Sequence, residues 1–150
     1  MPVLEVRNLW KRYGSIWALR GVDLGVIDGE CLALVGPNGA GKTTLLKVMA
    51  LLESPTKGAV FYDGSRIVNP EKHRTVITMV FQDPVFFSGS VRDNLAYGLR
   101  LRGFDEDEID RRVRKTLKLV NLRGFENRRI AELSAGEKQR VALARALCIR

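Results

Sequence analysis

The pattern of apolar and polar positions changes period several times along the first half of the chain. Val3 to Leu9 alternates loosely and predicts a strand, with Trp10-Lys11-Arg12-Tyr13-Gly14 as the turn after it. Ile16 to Ile27 predicts a further pair of strands, interrupted at Gly21 and Gly25. Cys31-Leu32-Ala33-Leu34-Val35 is continuously apolar after the Gly29-Glu30 turn, as a buried strand would be. From Lys42 to Leu52 the residues Leu45, Leu46, Val48, Met49, Leu51 and Leu52 give a helix with more than one apolar face. Ser54-Pro55 is expected to stop it. Gly58-Ala59-Val60-Phe61-Tyr62-Asp63-Gly64 reads as a strand closed by a turn, and the β-branched run Thr75 to Phe81 as another, ending at Gln82-Asp83-Pro84.

Beyond Gln82 the period becomes helical. Ser90 to Leu101 places Val91, Leu95 and Leu99 on one face. Asp105 to Val120 is amphipathic through Ile109, Val113, Leu117 and Val120, with acids in the first turns and bases later, as the helix dipole favours. Asp105 and Glu108 have capping-box spacing. Ser134 to Leu147 is the last helix, with Val141, Ala144 and Leu147 on one side.

Composition adds bounds. The 150 residues suffice for one domain with a core, and the apolar content is that of a globular chain. Cys31 and Cys148 sit far apart in apolar contexts and read as small core residues in a reducing compartment. No run approaches the roughly 18 apolar residues needed to cross a bilayer, and the N-terminus lacks a leader pattern. The expected location is cytoplasmic, with any membrane role exercised through a partner. The net charge of +8 raises nucleic acid as a ligand. The bases Arg111, Arg112, Arg114, Lys115 and Lys118 follow acids on the same helix, however, and no aromatic residues are interleaved, so a solvated face is the better reading.

The chemistry centres on Gly36-Pro37-Asn38-Gly39-Ala40-Gly41-Lys42-Thr43-Thr44, which fits the phosphate-loop spacing between a predicted strand and a predicted helix. Glycines let successive N–H groups point into one concavity, and the helix start adds free donors and the positive dipole end. Lys42 is a mobile charge for β- and γ-phosphates, and the Thr43 hydroxyl suits Mg²⁺. A second helix entrance, Leu133-Ser134-Ala135-Gly136-Glu137, has Ser-x-x-Glu capping-box spacing. Gly136 in its first turn costs roughly 1 kcal/mol against alanine. A small hydroxyl and a glycine there would also admit a phosphate.

Taken together these motifs resemble the ATP-binding subunit of ABC transporters, prokaryotic importer type. The resemblance rests on Gly36 to Thr44, then Val80-Phe81-Gln82-Asp83-Pro84, then Leu133 to Glu137 followed by Lys138 to Leu147, and on Tyr13 in Lys11-Arg12-Tyr13-Gly14. It implies an α/β phosphate-loop NTPase with an antiparallel β subdomain and a helical subdomain, its sheet incomplete toward the C-terminus. The expected divisions are a nucleotide-binding core at about 1–83, a helical subdomain at about 84–132, and the signature motif and helix at 133–150. By resemblance Tyr13 would stack on adenine. Gly36, Pro37, Asn38, Gly39, Ala40, Gly41, Lys42, Thr43 and Thr44 would hold ATP, with Thr43 and Gln82 toward Mg²⁺ and Gln82 assisting hydrolysis. Ser134, Ala135, Gly136 and Glu137 would face ATP on a second subunit of an ATP-dependent homodimer. Ala135 and Glu137 depart from the commonest signature, Leu-Ser-Gly-Gly-Gln. Separate transmembrane permease subunits and a solute-binding protein are the implied partners, with the chain peripheral on the cytoplasmic face of the membrane and no nucleic acid involved.

The metal-binding Asp, the water-polarising Glu and the γ-phosphate His of the family would lie beyond Arg150, so a truncated product or fragment is expected. Val91 to Gly103 looks like that of oxyanion importers, which points to tungstate, molybdate or phosphate. Three other readings stay open. One is a compact nucleotide kinase with Asp83 as the metal ligand at the end of a strand. The others are a DNA-maintenance ATPase and a non-catalytic ATP-binding remnant.

Overall fold

The structure, a computed structural model, describes residues 2–149, so Met1 and Arg150, where the expectations about the chain's ends fall, lie outside it. The chain divides into two compact units, residues 1–79 and 80–150.

The first unit is an antiparallel sheet with one helix on it. Strands β1 (Pro2–Tyr13), β2 (Ile16–Ile27), β3 (Lys57–Tyr62) and β4 (Ser65–Arg66) pair in the order β2-β1-β3-β4. β1 continues through Trp10 to Tyr13, so the expected turn is confined to Gly14 and Ser15, and β2 is one strand rather than two. The loose alternation of β1 has a local cause. Asn8 adopts φ +45° between the Val6–Leu24 and Leu9–Val22 pairs, a bulge that shifts the phase so that Val6 and Leu9 both face inward. Asp63 and Gly64, both with positive φ, form the tight turn that joins β3 to β4. Helix α1 (Lys42–Met49) lays Leu45, Val48 and Met49 against Val6, Leu9, Leu19 and Val60.

Helix α1 ends before Ser54-Pro55. Leu52 N–H donates to Lys47 O at 2.9 Å and Leu51 N–H to Val48 O at 3.0 Å, with Leu51 left-handed at φ +61°. This is a Schellman closure with leucine where glycine is usual. Leu51 is buried in the core, so its packing offsets a strained backbone.

Two predicted strands do not form. Neither Cys31–Val35 nor Thr75–Phe81 pairs with any strand among the described residues. A continuously apolar strand needs ladder partners and a cover on both faces. Here Leu34 and Ile77 alone of these runs pack on the core, while Val35 is 95% exposed. Near Thr75 the backbone bonds locally instead, Val76 and Ile77 N–H both donating to His73 O at 3.0 Å after the short 3₁₀ turn Pro70–Lys72. Cys31 is correspondingly exposed, against the expectation of a core residue, whereas Cys148 is buried and its thiol is pushed up by burial.

The second unit is helical: α2 (Val91–Arg100), α3 (Glu106–Leu119) and α4 (Ala135–Cys148). Val91, Leu95, Leu99, Ile109, Val113, Leu117, Val141 and Ala144 form its centre. On α4 the inward stripe is completed by Cys148, and Leu147 is turned outward. Ser90 and Asp93 cap α2 reciprocally. Asp105 caps α3 by accepting Glu108 N–H at 2.8 Å, but the box is half made: the Glu108 carboxylate binds Arg111 and Arg112 instead. Two further α3 acids pair as well, Arg92 bridging Glu106 and Asp110 at 2.7 and 2.6 Å.

Candidate nucleotide-binding site

The loop at the start of α1 is shaped by two left-handed glycines, Gly39 (φ +79°) and Gly41 (φ +86°). A Cβ on Gly41 would stand 2.4 Å from Ala18 O, so the loop lies against β2 as only glycine permits. Among the described residues, Ala40 alone of the amides from Asn38 to Thr44 has a backbone acceptor, Pro37 O at 3.3 Å. Gly41 N-caps α1 with no side chain bonded there. The remaining donors, with the first turn of α1, form a cluster of unused N–H groups of the kind that binds anions. The Lys42 ammonium reaches back across the loop to Gly36 O and Pro37 O, both at 2.7 Å. Thr43 is exposed beside it.

Tyr13, at the end of β1, is brought to this loop within the first unit: its hydroxyl interacts with the Thr44 side chain and donates to the Glu53 carboxylate. The Glu53 bond raises the phenol above its usual range, and the same bond with Lys11 and Lys47 nearby lowers Glu53. Lys11 Nζ stands 5.0 Å from the Tyr13 ring centroid.

In the second unit, Ser134 and Glu137 form the full reciprocal box. Ser134 N–H and Oγ–H both donate to Glu137 Oε2 at 2.7 Å, and Ser134 Oγ accepts Glu137 N–H at 3.3 Å. Those bonds from Ser134, with Arg128 at 3.5 Å, hold the Glu137 carboxyl below its ordinary range. Gly136 is not required by this chain's own packing, since a Cβ there would meet nothing nearer than the Arg140 guanidinium at 3.8 Å. Gln82 and Asp83 are exposed, and together with Pro84 and Val85 they border one groove with Ala135, Gly136, Lys138 and Gln139. The kinase reading required Asp83 at the end of a strand, and among the described residues no strand precedes it there.

Sequence reasoning missed four residues that organise these sites. Glu53 and Lys11 surround Tyr13; Gln139 donates to Gln82 O, and Arg145 to Val85 O at 2.8 Å while lying over the Phe86 ring. Lys11 shares β1 with Tyr13, but no spacing rule links Tyr13 to Glu53, Gln82 to Gln139 or Val85 to Arg145, which are 40 to 60 residues apart.

A donor-rich loop entering a helix that packs on an antiparallel sheet, followed by a capped helical unit, gives this chain an α/β fold of phosphate-loop type. The chain belongs to the ABC transporter family: the family model described as "ABC transporter" matches residues 19–150. It is 40% identical over 148 residues to the Fe(3+) ions import ATP-binding protein FbpC of Escherichia coli, covering 98% of this chain and 42% of that one. It is 41% identical over 146 residues to the spermidine/putrescine import ATP-binding protein PotA of Spiroplasma citri, covering 97% and 42%. Among solved structures it resembles cbiO1 from Clostridium perfringens, described as part of the ABC transporter complex cbiONQ. That match has a TM-score of 0.88 at 32% identity, over 99% of this chain and 62% of that one. The chain thus spans less than half the length of the curated relatives it matches.

Proposed function

We propose that the chain supplies the ATP-binding portion of an import-type ABC transporter subunit. The observation that carries this is the cluster of free amides from Asn38 to Thr44 with Lys42 beside it, at a helix start in a member of this family. When phosphate enters, the loop amides and Lys42 hold it, Lys42 exchanging two neutral carbonyls for charged oxygens. Tyr13 offers its ring to the base. No group of three or more His, Cys, Asp or Glu suited to a metal occurs among the described residues. Mg²⁺ takes most of its ligands from phosphates and water and needs one or two protein oxygens. Thr43, exposed beside the loop, is the proposed one. Bound Mg²⁺ would neutralise phosphate charge.

Ser134, Ala135, Gly136 and Glu137 are proposed to meet the nucleotide of a second subunit. In support, the open space over Gly136 has no use within this chain. Coupling to separate permease subunits, delivery by a solute-binding protein, ATP hydrolysis and a peripheral position at the cytoplasmic face of the membrane belong to the same proposal. None of the helices among the described residues is long and apolar enough to cross a membrane. For the cargo, the relatives named above act on iron(III) ions and on spermidine or putrescine, and give no support to an oxyanion.

Titration of the purified chain with ATP in the presence of Mg²⁺ tests the central claim. Lys42→Ala should weaken binding by about 10- to 150-fold, the worth of a charged hydrogen bond. Unchanged affinity would overturn it.

A further inference from the structure

Tyr13 is held on three sides, and the residue that holds it lies outside the phosphate loop. Its hydroxyl is committed to Glu53, as above, and is therefore not free to read the edge of a base. The same Glu53 carboxylate lies 3.3 Å from Lys11 Nζ and 3.7 Å from Lys47 Nζ. Lys11 in turn donates to Ser54 O at 2.8 Å and covers one face of the Tyr13 ring. The backbone around the ring is stitched to the same segment: Thr56 N–H donates to Trp10 O at 2.7 Å, and Arg12 N–H to Thr56 Oγ1 at 3.0 Å.

Glu53 itself is fixed by the way α1 ends. The Schellman closure at Leu51 turns the chain back, and Glu53 N–H donates to Lys47 O at 3.3 Å. The helix whose first turn carries the phosphate loop thus carries, just past its last turn, the carboxylate that orients the aromatic ring. Tyr13 remains 44% exposed, so Glu53 and Lys11 do not bury the ring.

We propose that Glu53 is a positioning residue for nucleotide binding: with Lys11 it holds the Tyr13 ring at its hydroxyl end and over one face, so that a base is received by the opposite face alone. The proposal rests on the reading of Tyr13 as the base platform. Glu53 touches neither phosphate nor base and acts through the tyrosine.

The test compares two probes on the purified chain, ATP with Mg²⁺ and inorganic tripolyphosphate, which has no base. Glu53→Ala should weaken ATP about tenfold, part of the worth of stacking a base on an aromatic ring, and leave tripolyphosphate unchanged. Glu53→Gln keeps an acceptor for the hydroxyl and should recover most of the loss. Equal weakening of both probes would show a merely structural role and overturn the proposal, as would unchanged ATP affinity in Glu53→Ala. If Glu53→Ala does not fold, Lys11→Ala carries the same two-probe comparison. Tyr13→Ala separates the two readings. If it costs no ATP affinity, the base platform fails; if it does while Glu53→Ala does not, only the positioning role fails.

Discussion

The two units of this chain turn pattern into structure with different success. In the helical unit the apolar stripes find their cover, Leu147 of α4 excepted: Val91, Leu95 and Leu99 meet Ile109, Val113 and Leu117 and the inner face of α4. In the sheet unit the antiparallel sheet and α1 close a core, yet two of the most apolar stretches in the chain, Cys31–Val35 and Thr75–Phe81, remain outside any ladder among the described residues. The difference lies in what each pattern requires. A helix satisfies its own backbone and needs only one face covered, by neighbours close in sequence. A strand buried on both faces needs partners on two edges, and its hydrogen bonds are all borrowed. Hydrophobicity alone therefore gives helix placement here but not sheet membership.

Substitutions can break that comparison. The largest effect is expected at Leu95, fully buried at the centre of the helical unit. Leu95→Ala should cost about 2–5 kcal/mol in denaturant unfolding followed by helical circular dichroism. A loss below 1 kcal/mol would mean the helical core is not close-packed. Next is Gly41→Ala, where φ is +86° and Ala18 O stands 2.4 Å from the added methyl. Backbone strain of about 1–2 kcal/mol, with displacement of the loop, should lower stability of the sheet unit and nucleotide affinity together.

A smaller effect concerns pH. Hydrogen bonds from Arg100 and then Arg92 hold Glu106 at a pKa of about 2, below its ordinary 4.5. Because the folded value is the lower one, its contribution is present above pH 4.5 and is lost as pH falls toward 2. The effect is modest, since Glu106 is exposed. Glu106→Gln should flatten the change in unfolding midpoint between pH 6 and 3, and an unchanged slope would remove the carboxylate from the account. The smallest effect should be at Val35, 95% exposed. Val35→Ser should alter stability by no more than about 0.5 kcal/mol. A core-sized loss there would show that the run is covered after all and that the contrast between the units is wrong.

Much of the candidate site was legible because its logic is local. Gly39 and Gly41 at left-handed positions, Lys42 at the helix entrance, and Ser134 three residues before Glu137 all follow from bonds that close within a few residues. The same holds for the Ser90–Asp93 box, and for one half of the Asp105–Glu108 box. The other half failed because Arg111 and Arg112 offered Glu108 charged donors in place of a backbone amide. Leu51 shows the limit from the other side. Nothing in the sequence marks a leucine as a left-handed helix stop, and only burial in the core makes that conformation tolerable.

By itself, then, the sequence determined where the glycine loop and the helix caps fall and which helices form, because caps, glycine turns and amphipathic stripes are bonded or packed within a few residues of their own positions. Tertiary structure decided which apolar runs join the sheet, and that Cys31 is exposed while Cys148 is buried. It also decided that the Tyr13 hydroxyl is spoken for by Glu53, and that Gln139 and Arg145 grip the segment after Gln82. Those outcomes depend on which donor meets which acceptor across 40 or more residues, and the chain settles that only by folding.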